Sequence, residues 1–283
     1  MFTHKKYPPF SVAMSVYKND NPQWFDRALK SITVEQTVKP DEIVLIIDGT
    51  IPGNINQVIV KYQNICEQEE YKIKIIRKPI NQGLGEALKT AVLHCRNELI
   101  ARMDSDDVSR PYRFEKQLGF MQKHPEVSIV GGQIREFIGD MDKVVGKRCV
   151  PCCNAEIKHY MKRRCPFNHM TVMFRKQAVI AAGNYKSWPW NEDYYLWIRL
   201  AEKNFIFANL SHVLVDVQVG KDMYQRRGGI EYFKSEAAIQ KLMLQKKIIN
   251  VLRYTINILV RLILQMIMPN NLRGFIFRKF ARK

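Results

Sequence analysis

Short apolar runs rich in β-branched residues alternate with helix-length amphipathic segments through about the first 130 residues, and this alternation restricts the fold more than any other feature. It is typical of a parallel sheet with covering helices, because each parallel crossover needs a long connection. The predicted strands are residues 10–16, 42–47, 72–77, 99–103 and 127–130. The predicted helices are residues 22–35, 55–69, 84–95 and 112–123. The sequence therefore predicts an α/β fold with a doubly wound, mostly parallel sheet.

The chain is long enough for one catalytic domain with an appendage. It has 283 residues, of which 46% are hydrophobic and 25% are charged, so it can bury a full core. A change in composition near residue 240 predicts a catalytic domain over residues 1–240 and a helical tail over residues 241–283.

Six cysteines are present without a regular framework, and the N-terminus lacks the apolar region of a signal peptide. We therefore expect a reducing, cytosolic compartment. The group Cys149, Cys152, Cys153 and Cys165 is the one suggestion of structural zinc. Its spacing argues against zinc, because adjacent cysteines rarely both ligate one tetrahedral ion.

A formal charge of +18 calls for an anionic partner, which could be nucleic acid, anionic lipid or a phosphorylated substrate. The basic residues are spread along the chain with a local excess in the tail. No motif places basic and aromatic residues together on one sheet or helix, so we do not expect a nucleic-acid partner.

The tail contains a nearly continuous apolar stretch over residues 248–268. Its polar residues fall on one helical stripe, spanning an arc of about 120° at about 100° per residue, and are Asn250, Arg253, Asn257, Arg261 and Gln265. Two arginines near mid-helix are costly in hydrocarbon, so the pattern favours a helix lying flat on the membrane over one crossing it. We expect the stripe to face anionic headgroups, together with the Arg-, Lys- and Phe-rich residues 270–283. The alternative is a helix packed on its own catalytic domain.

Aspartates follow three of the predicted strands, the first of them being Asp20 after residues 10–16. Asp104, Asp106 and Asp107 lie in the string MDSDD, where three carboxylates repel one another unless a cation lies between them. This favours a hard divalent metal with a diphosphate, although a solvated turn with an aspartate helix cap would look similar. Asp48 closes the strand DEIVLIID, where a nucleoside would lie in a doubly wound fold, or where a simple turn would place an aspartate.

Other motifs exclude some nucleotide-binding classes. The string NQGLGEAL places Leu88 where a dinucleotide fingerprint needs glycine or alanine, and the sequence has no Walker lysine.

In WPWNEDYYLW, aromatic rings flank Asp193 and could stack on a sugar, whereas Trp197 is expected in the core. His169 could be an acceptor-site residue or a satisfied buried histidine, and the sequence leaves both open.

An ordered set of strings carries a family resemblance over roughly residues 10–236. The strings are SVAMSVYKND, DEIVLIIDG, NQGLGEALKTAV, LIARMDSDD, RPYRFEKQ, FNHMTVMFRK, NEDYYLWIRL and MYQRRGG. In this order they resemble glycosyltransferase family 2, which has the GT-A fold, and especially the amylovoran, capsule and O-antigen types of transferase.

The resemblance implies roles for residues at the strand ends. Ser15 and Tyr17 would line the nucleoside site, and Asp48 would face the base. Asp104 and Asp106 match the family's DxD motif, with Asp107 beside them, and would hold Mn²⁺ or Mg²⁺ on the donor diphosphate.

The resemblance also implies roles later in the chain. Asp193 matches the catalytic base, with Glu192 as its neighbour, and Arg226 and Arg227 match the basic pair of a mobile lid. The chain departs from its relatives at Gln218, where Arg or His is often found. That departure bears on the lid contacts and leaves the class unchanged.

The expected function is a metal-dependent, inverting glycosyltransferase that uses a nucleotide sugar, with UDP-sugars favoured. Its acceptor would be lipid-linked or a polysaccharide, and it would act in the cytoplasm as a peripheral protein on the inner face of the cell membrane. The alternative is a nucleotidyltransferase or another sugar-nucleotide-binding protein. A nucleotidyltransferase would need a glycine-rich phosphate loop with basic residues early in the chain, and residues 14–20 offer only Lys18.

Overall fold

The structure is a computed structural model that describes residues 7–69, 71–220 and 228–267. Its first half is a parallel sheet in the order β3-β2-β1-β4. These strands are β1 (Phe10–Val16), β2 (Glu42–Asp48), β3 (Lys72–Lys78) and β4 (Leu99–Met103). The connecting helices are α1 (Pro22–Ile32), α2 (Gly53–Gln68) and α3 (Leu84–His94). The alternating pattern thus predicted this half correctly.

Local chemistry explains where α1 begins. The Asn21 side chain accepts hydrogen bonds from the backbone N–H groups of Gln23 and Trp24, and Pro22 occupies the first helical turn. The helix therefore starts directly after the β1 loop, and it holds that loop at the carboxyl end of the sheet.

The second half adds antiparallel strand pairs that the sequence pattern did not predict, although the pattern did predict the helix near residues 112–123 and a strand beginning at residue 127. Its elements are β5 (Val108–Ser109), α4 (Arg113–Lys123), β6 (Val127–Ile138), β7 (Asp140–Arg148), α5 (Asn154–Met161), a 3₁₀ turn (His169–Thr171), β8 (Met173–Arg175), α6 (Lys176–Ala181), α7 (Glu192–Glu202) and β9 (Ile206–Gln218). The short strand β8 lies antiparallel between β4 and β6, and β9 runs parallel to β6. β7 and β5 pair antiparallel with β6 and β9, respectively.

The sheet separates two apolar layers. Val12 and Met14 of β1 pack into one cluster with Phe25, whereas Ala13 packs into the other cluster with Trp197. This alternation is the period of two expected for a strand covered on both faces. The central strands are therefore buried, whereas β3 and β7 are exposed or half-buried along their length. The loops at the carboxyl ends of the buried strands are left to form the site.

Two helices end the described chain: α8 (Ile230–Gln245) and α9 (Val251–Leu262), the latter followed by a short π-helical segment (Ile263–Ile267). The predicted boundary between residues 240 and 241 falls inside α8, which contributes Ile239 and Met243 to the core. Any boundary must therefore lie outside this helix, and a separate membrane-associating tail stays a prediction.

The expectation that the whole polar stripe of the tail faces anionic headgroups is wrong for three of its five residues. Asn257, Arg261 and Gln265 are buried, as in the alternative of a helix packed on the catalytic domain, whereas the first two residues of the stripe are exposed or half-buried. The physical reason is that the rest of the protein supplies polar partners for Asn257 and Arg261, including the carboxylate of Glu236. Among the described residues, no helix is long and apolar enough to cross a membrane.

Candidate active site

The first part of the site lies where β4 ends. Asp104, Asp106 and Asp107 offer carboxylate oxygens within 4.8 Å of one another, and this is the one group with potential metal ligands of this kind in the described chain. The side chain of Arg102, buried on β4, forms an ion pair with Asp104. One guanidinium therefore neutralises part of a concentrated negative charge.

The three carboxylates repel one another electrostatically. Burial, Asp104 and Asp20 together raise the pKa of Asp106 to about 7. Burial, followed by the charges of Asp106 and Asp104, also raises the pKa of Asp107 well above its usual range. An added cation would relieve this repulsion, so the cluster has the chemistry of a divalent metal site.

Asp107 also holds the end of β9. Its Oδ1 accepts a hydrogen bond of 3.0 Å from the backbone N–H of Gln218, and the Gln218 side chain accepts one of 3.1 Å from Arg27. Residues 221–227, with the predicted lid residues Arg226 and Arg227, lie outside the described residues. At the position where relatives often have Arg or His, the side chain of Gln218 is therefore hydrogen-bonded to an arginine of α1, Arg27.

Asp48 organises a loop as well as closing β2. Its two oxygens accept hydrogen bonds from the backbone N–H groups of Gln82 (3.0 Å) and Gly83 (2.8 Å), at the start of α3. Gly49 has φ +88°, and a Cβ there would lie 2.8 Å from the backbone nitrogen of Asn81. This close approach requires glycine. A direct contact between Asp48 and a base stays a prediction.

The β1 loop completes this edge. Ser15 is half-buried near the end of β1, and Tyr17, which follows the strand, is 39% exposed. The Asp20 carboxylate accepts a hydrogen bond from the backbone N–H of Tyr17, and burial raises the pKa of Asp20 to about 6. Ser15 and Tyr17 therefore lie at the predicted edge, and their nucleoside contacts stay predictions.

The second acidic pair begins α7. Asp193 accepts a hydrogen bond of 2.6 Å from the Tyr194 backbone N–H and one of 3.3 Å from the Cys165 thiol. Burial raises the pKa of Asp193, and burial followed by the charge of Asp193 raises the pKa of Glu192 to about 7. A raised pKa suits a carboxylate that must take up a proton near neutral pH.

Two observations bring the acidic pair and the strand-end cluster together. A Cβ at Gly85 would lie 3.4 Å from the Cβ of Glu192, so α7 approaches the first turn of α3 closely. Arg102 interacts electrostatically with Asp104, Glu192 and Asp193. The sheet edge therefore carries two acidic groups with a buried guanidinium near both.

The aromatic residues around Asp193 divide into core and surface. Trp197 is fully buried, as expected, and its ring contacts Phe167 edge-on. Trp190 is 55% exposed and lies edge-on to Tyr232. Trp190 is thus the tryptophan of this segment most available to a sugar face.

His169 lies beside Tyr185, with its Nε2 at 2.9 Å from the tyrosine hydroxyl. Burial and the charge of Arg102 lower the pKa of His169 well below its ordinary value. These contacts favour the satisfied, neutral histidine of the two alternatives.

The cysteine group does not form a metal centre among the described residues. Cys149, Cys152 and Cys153 are exposed, whereas Cys165 contacts Asp193.

Sequence reasoning assigned no role in the site to four of its residues: Asp20, Arg27, Arg102 and Cys165. Arg27 lies within α1, and nothing local distinguishes it from a solvated charge. A fully buried arginine is rare without a partner, so the apolar run LIARMD around Arg102 was the one available signal.

Comparisons with known proteins agree with this geometry. Residues 11–186 match the family described as Glycosyl transferase family 2. The chain is 39% identical to an uncharacterized glycosyltransferase of Haemophilus influenzae, covering 97% of this chain and 99% of the relative. It is 37% identical to the amylovoran biosynthesis glycosyltransferase AmsE of Erwinia amylovora, covering 95% and 98%.

A third relative is the UDP-Gal:alpha-D-GlcNAc-diphosphoundecaprenol beta-1,3-galactosyltransferase of Escherichia coli, which is 35% identical, with 98% of each chain covered. Among solved structures, S. aureus TarS in complex with UDP-GlcNAc superposes with a TM-score of 0.65 at 15% identity, covering 90% of this chain and 72% of TarS. The mannosyltransferase PcManGT of Pyrobaculum calidifontis, in complex with GDP-Man and Mn²⁺, gives a TM-score of 0.63 at 13% identity, covering 84% and 65%. The chain therefore belongs to glycosyltransferase family 2, and it is a glycosyltransferase with the GT-A fold.

Proposed function

We propose that this enzyme is a metal-dependent, inverting transferase that moves a sugar from a nucleotide sugar, most simply a UDP-sugar, to a lipid-linked or polysaccharide acceptor. The carrying observation is the placement of the Asp104 cluster and the Glu192–Asp193 pair at one edge of the sheet. The first group suits a diphosphate with its cation, and the second suits an acceptor hydroxyl. Family membership argues against the nucleotidyltransferase alternative.

Asp104 and Asp106, with Asp107 beside them, would hold Mn²⁺ or Mg²⁺. All three supply the hard oxygen ligands that these ions prefer, and the raised pKa of Asp106 reflects repulsion that a cation removes. A divalent ion there supplies charge neutralisation to the diphosphate leaving group. The PcManGT structure, which contains Mn²⁺, supports this choice.

The chain's own residues would carry the proton transfer. The acceptor oxygen attacks the anomeric carbon, and its proton passes to the Asp193 carboxylate. The bond between that carbon and the diphosphate oxygen breaks, and its electron pair leaves with the nucleoside diphosphate. Arg102, and Arg226 and Arg227 as proposed lid residues, would offset the developing negative charge.

Attack from the face opposite the leaving group inverts the anomeric centre. Ser15 and Tyr17 would border the nucleoside, and Asp48 would receive the base. The exposed ring of Trp190 is available to stack on a sugar of the acceptor.

The acceptor and the location are proposed from the relatives. AmsE is named for amylovoran biosynthesis, and the E. coli relative is named for a diphosphoundecaprenol acceptor. We therefore propose cell-surface polysaccharide biosynthesis at the cytoplasmic face of the membrane, with no part for nucleic acid.

Purified enzyme should be screened for release of nucleoside diphosphate across a panel of UDP-, GDP- and dTDP-sugars, with Mn²⁺, with Mg²⁺ and with excess chelator. We expect release from one donor class in either metal and loss of release in chelator. Asp193→Asn tests the base in the same assay, and Asp142→Asn, on the exposed β7 edge, is the matched control.

Full turnover in chelator would contradict the metal site. Turnover by Asp193→Asn within a few-fold of the parent would contradict the base. Retention of anomeric configuration in the product would contradict direct displacement.

A further inference from the structure

Helix α9 is amphipathic in the reverse sense for a surface helix, because its polar side is the packed side. Asn257 Nδ2 donates to the backbone carbonyl of Lys162 (2.8 Å) and to the Gln240 side chain (2.7 Å). Arg261 forms a charge-assisted hydrogen bond of 2.8 Å with Glu236 and donates to the carbonyl of Arg163 (2.7 Å). The buried part of the polar stripe therefore packs on the protein, whereas Asn250 is exposed and Arg253 is half-buried.

The apolar side of the helix consequently faces outward. Eight large aliphatic or sulfur-containing side chains on α9 and the π-helical segment are between 37% and 69% exposed. They are Val251, Leu252, Ile256, Leu259, Val260, Leu262, Ile263 and Met266. Contiguous exposed apolar surface of this kind is unusual in a soluble monomer and marks an interaction site.

Charge identifies the partner. After Glu236 the chain has ten Lys and Arg residues and no Asp or Glu, as far as its last residue. An apolar helix face within an entirely cationic segment is complementary to an anionic bilayer, which offers hydrocarbon beneath negative headgroups. A second copy would bring the same cationic segment against itself, which like-charge repulsion opposes.

We propose that α9 and the π-helical segment are a membrane-docking surface that inserts its outward apolar face into an anionic lipid bilayer, while Asn257 and Arg261 on the opposite side bind the rest of the protein. The helix then lies flat without having to place Arg261 at the headgroups, since Glu236 already neutralises that charge. The use of this surface to reach a lipid-linked acceptor rests on the proposed function. The docking itself does not.

The test uses the full-length chain in vesicle flotation. The docking variant carries Leu252→Ser, Leu259→Ser and Ile263→Ser, all at exposed positions. The matched control carries Val60→Ser, Leu93→Ser and Ile180→Ser, which remove aliphatic side chains that are also exposed, by 40% to 54%, from other helices. Vesicles of phosphatidylcholine alone and of phosphatidylcholine with phosphatidylglycerol separate apolar insertion from charge attraction.

We expect the parent and the control triple to float with the anionic vesicles. The docking triple should lose partitioning by about a hundredfold or more, with an unchanged melting temperature. Donor turnover with a water-soluble acceptor should be equal in all three proteins, so a failure of the proposed function would appear there and not in flotation.

Three results would overturn the proposal. The first is equal flotation of the docking triple and the control. The second is flotation that salt abolishes in all three proteins to the same extent, which would assign binding to charge alone. The third is a parent that sediments as a dimer and becomes monomeric in the docking triple, because the apolar face would then be a protein interface.

Discussion

The Cys165 thiol donates a hydrogen bond to Oδ2 of Asp193, 3.3 Å away. Burial and the adjacent carboxylate raise the pKa of this thiol well above its usual range, so it keeps its proton. A neutral S–H is a weak donor, and it stabilises the ionised form of the proposed base without competing strongly for its lone pairs.

Removing that donor should move the pH profile of the enzyme. In Cys165→Ala the ionised form of Asp193 loses support, so the ascending limb of kcat/KM should shift to higher pH by roughly half a unit. Cys165→Ser keeps a donor and should restore the parent profile. Cys149→Ala, at an exposed cysteine, is the control. An unchanged profile in Cys165→Ala would show that the contact is only structural.

The Glu192–Asp193 pair should also set the pH of the ascending limb of kcat/KM, and removing the charge of Glu192 should shift this limb to lower pH. Their pKa values are raised, that of Glu192 to about 7, so the pair becomes protonated and inactive as the pH falls through that region. Glu192→Gln removes a neighbouring negative charge, and the limb should move to lower pH. Asp193→Asn should lower kcat by about 10² to 10⁴, with donor affinity retained in calorimetric titration. A limb that moves upward in Glu192→Gln would contradict this assignment.

The aspartate cluster should make the metal-free enzyme less stable than it could be. The folded-state pKa of Asp106, about 7, exceeds its ordinary value of 3.8. Its ionisation therefore costs stability, and this cost is absent below about pH 4 and complete above about pH 7. Asp106→Asn should raise the melting temperature at pH 8 by about 2 °C or more while abolishing turnover.

Scanning calorimetry at pH 8 with and without Mn²⁺ checks this prediction. The ion should raise the melting temperature of the parent protein and leave that of Asp106→Asn nearly unchanged. A variant less stable than the metal-free parent would contradict the repulsion that we infer.

Removing one partner of the Glu236–Arg261 ion pair should lower the free energy of unfolding much more than removing both partners. Both side chains are nearly buried, and Arg261 also donates to a backbone carbonyl. Arg261→Leu leaves a buried carboxylate unpaired and should cost about 3 kcal/mol in free energy of unfolding. The double variant with Glu236→Leu should recover most of that loss. A denaturant double-mutant cycle measures it, and additive losses would contradict the coupling.

The sequence predicted the elements whose information is local. Strands β1 to β4 and helices α1 to α4 appeared as alternating apolar patterns, and the aspartates after β2 and β4 marked the edge of the sheet. Strand β8 has three residues, and its position between β4 and β6 depends on partners distant in sequence. No local pattern specifies such a pairing.

The orientation of α9 shows a second limit. Amphipathicity shows that a helix has two unlike sides, but not which of them packs on the protein. That choice depended on Glu236 and on backbone carbonyls in the turn after α5, which are not neighbours in the sequence. Arg102 was missed for a related reason, since Glu192 and Asp193, which it joins electrostatically to Asp104, lie on α7.

The contacts of α9 with residues 162 and 163 affect how a water-soluble version of this enzyme should be engineered. The same short segment continues to Cys165, which contacts the proposed base. Helix α9 therefore supports the segment that positions Cys165 against Asp193. Truncating the chain before α9 would remove the exposed apolar surface and this structural support together. A detergent-free preparation is better sought by substituting the exposed apolar residues of α9 with serine or glutamine. The buried polar contacts of the helix, and the support that they give, are then retained.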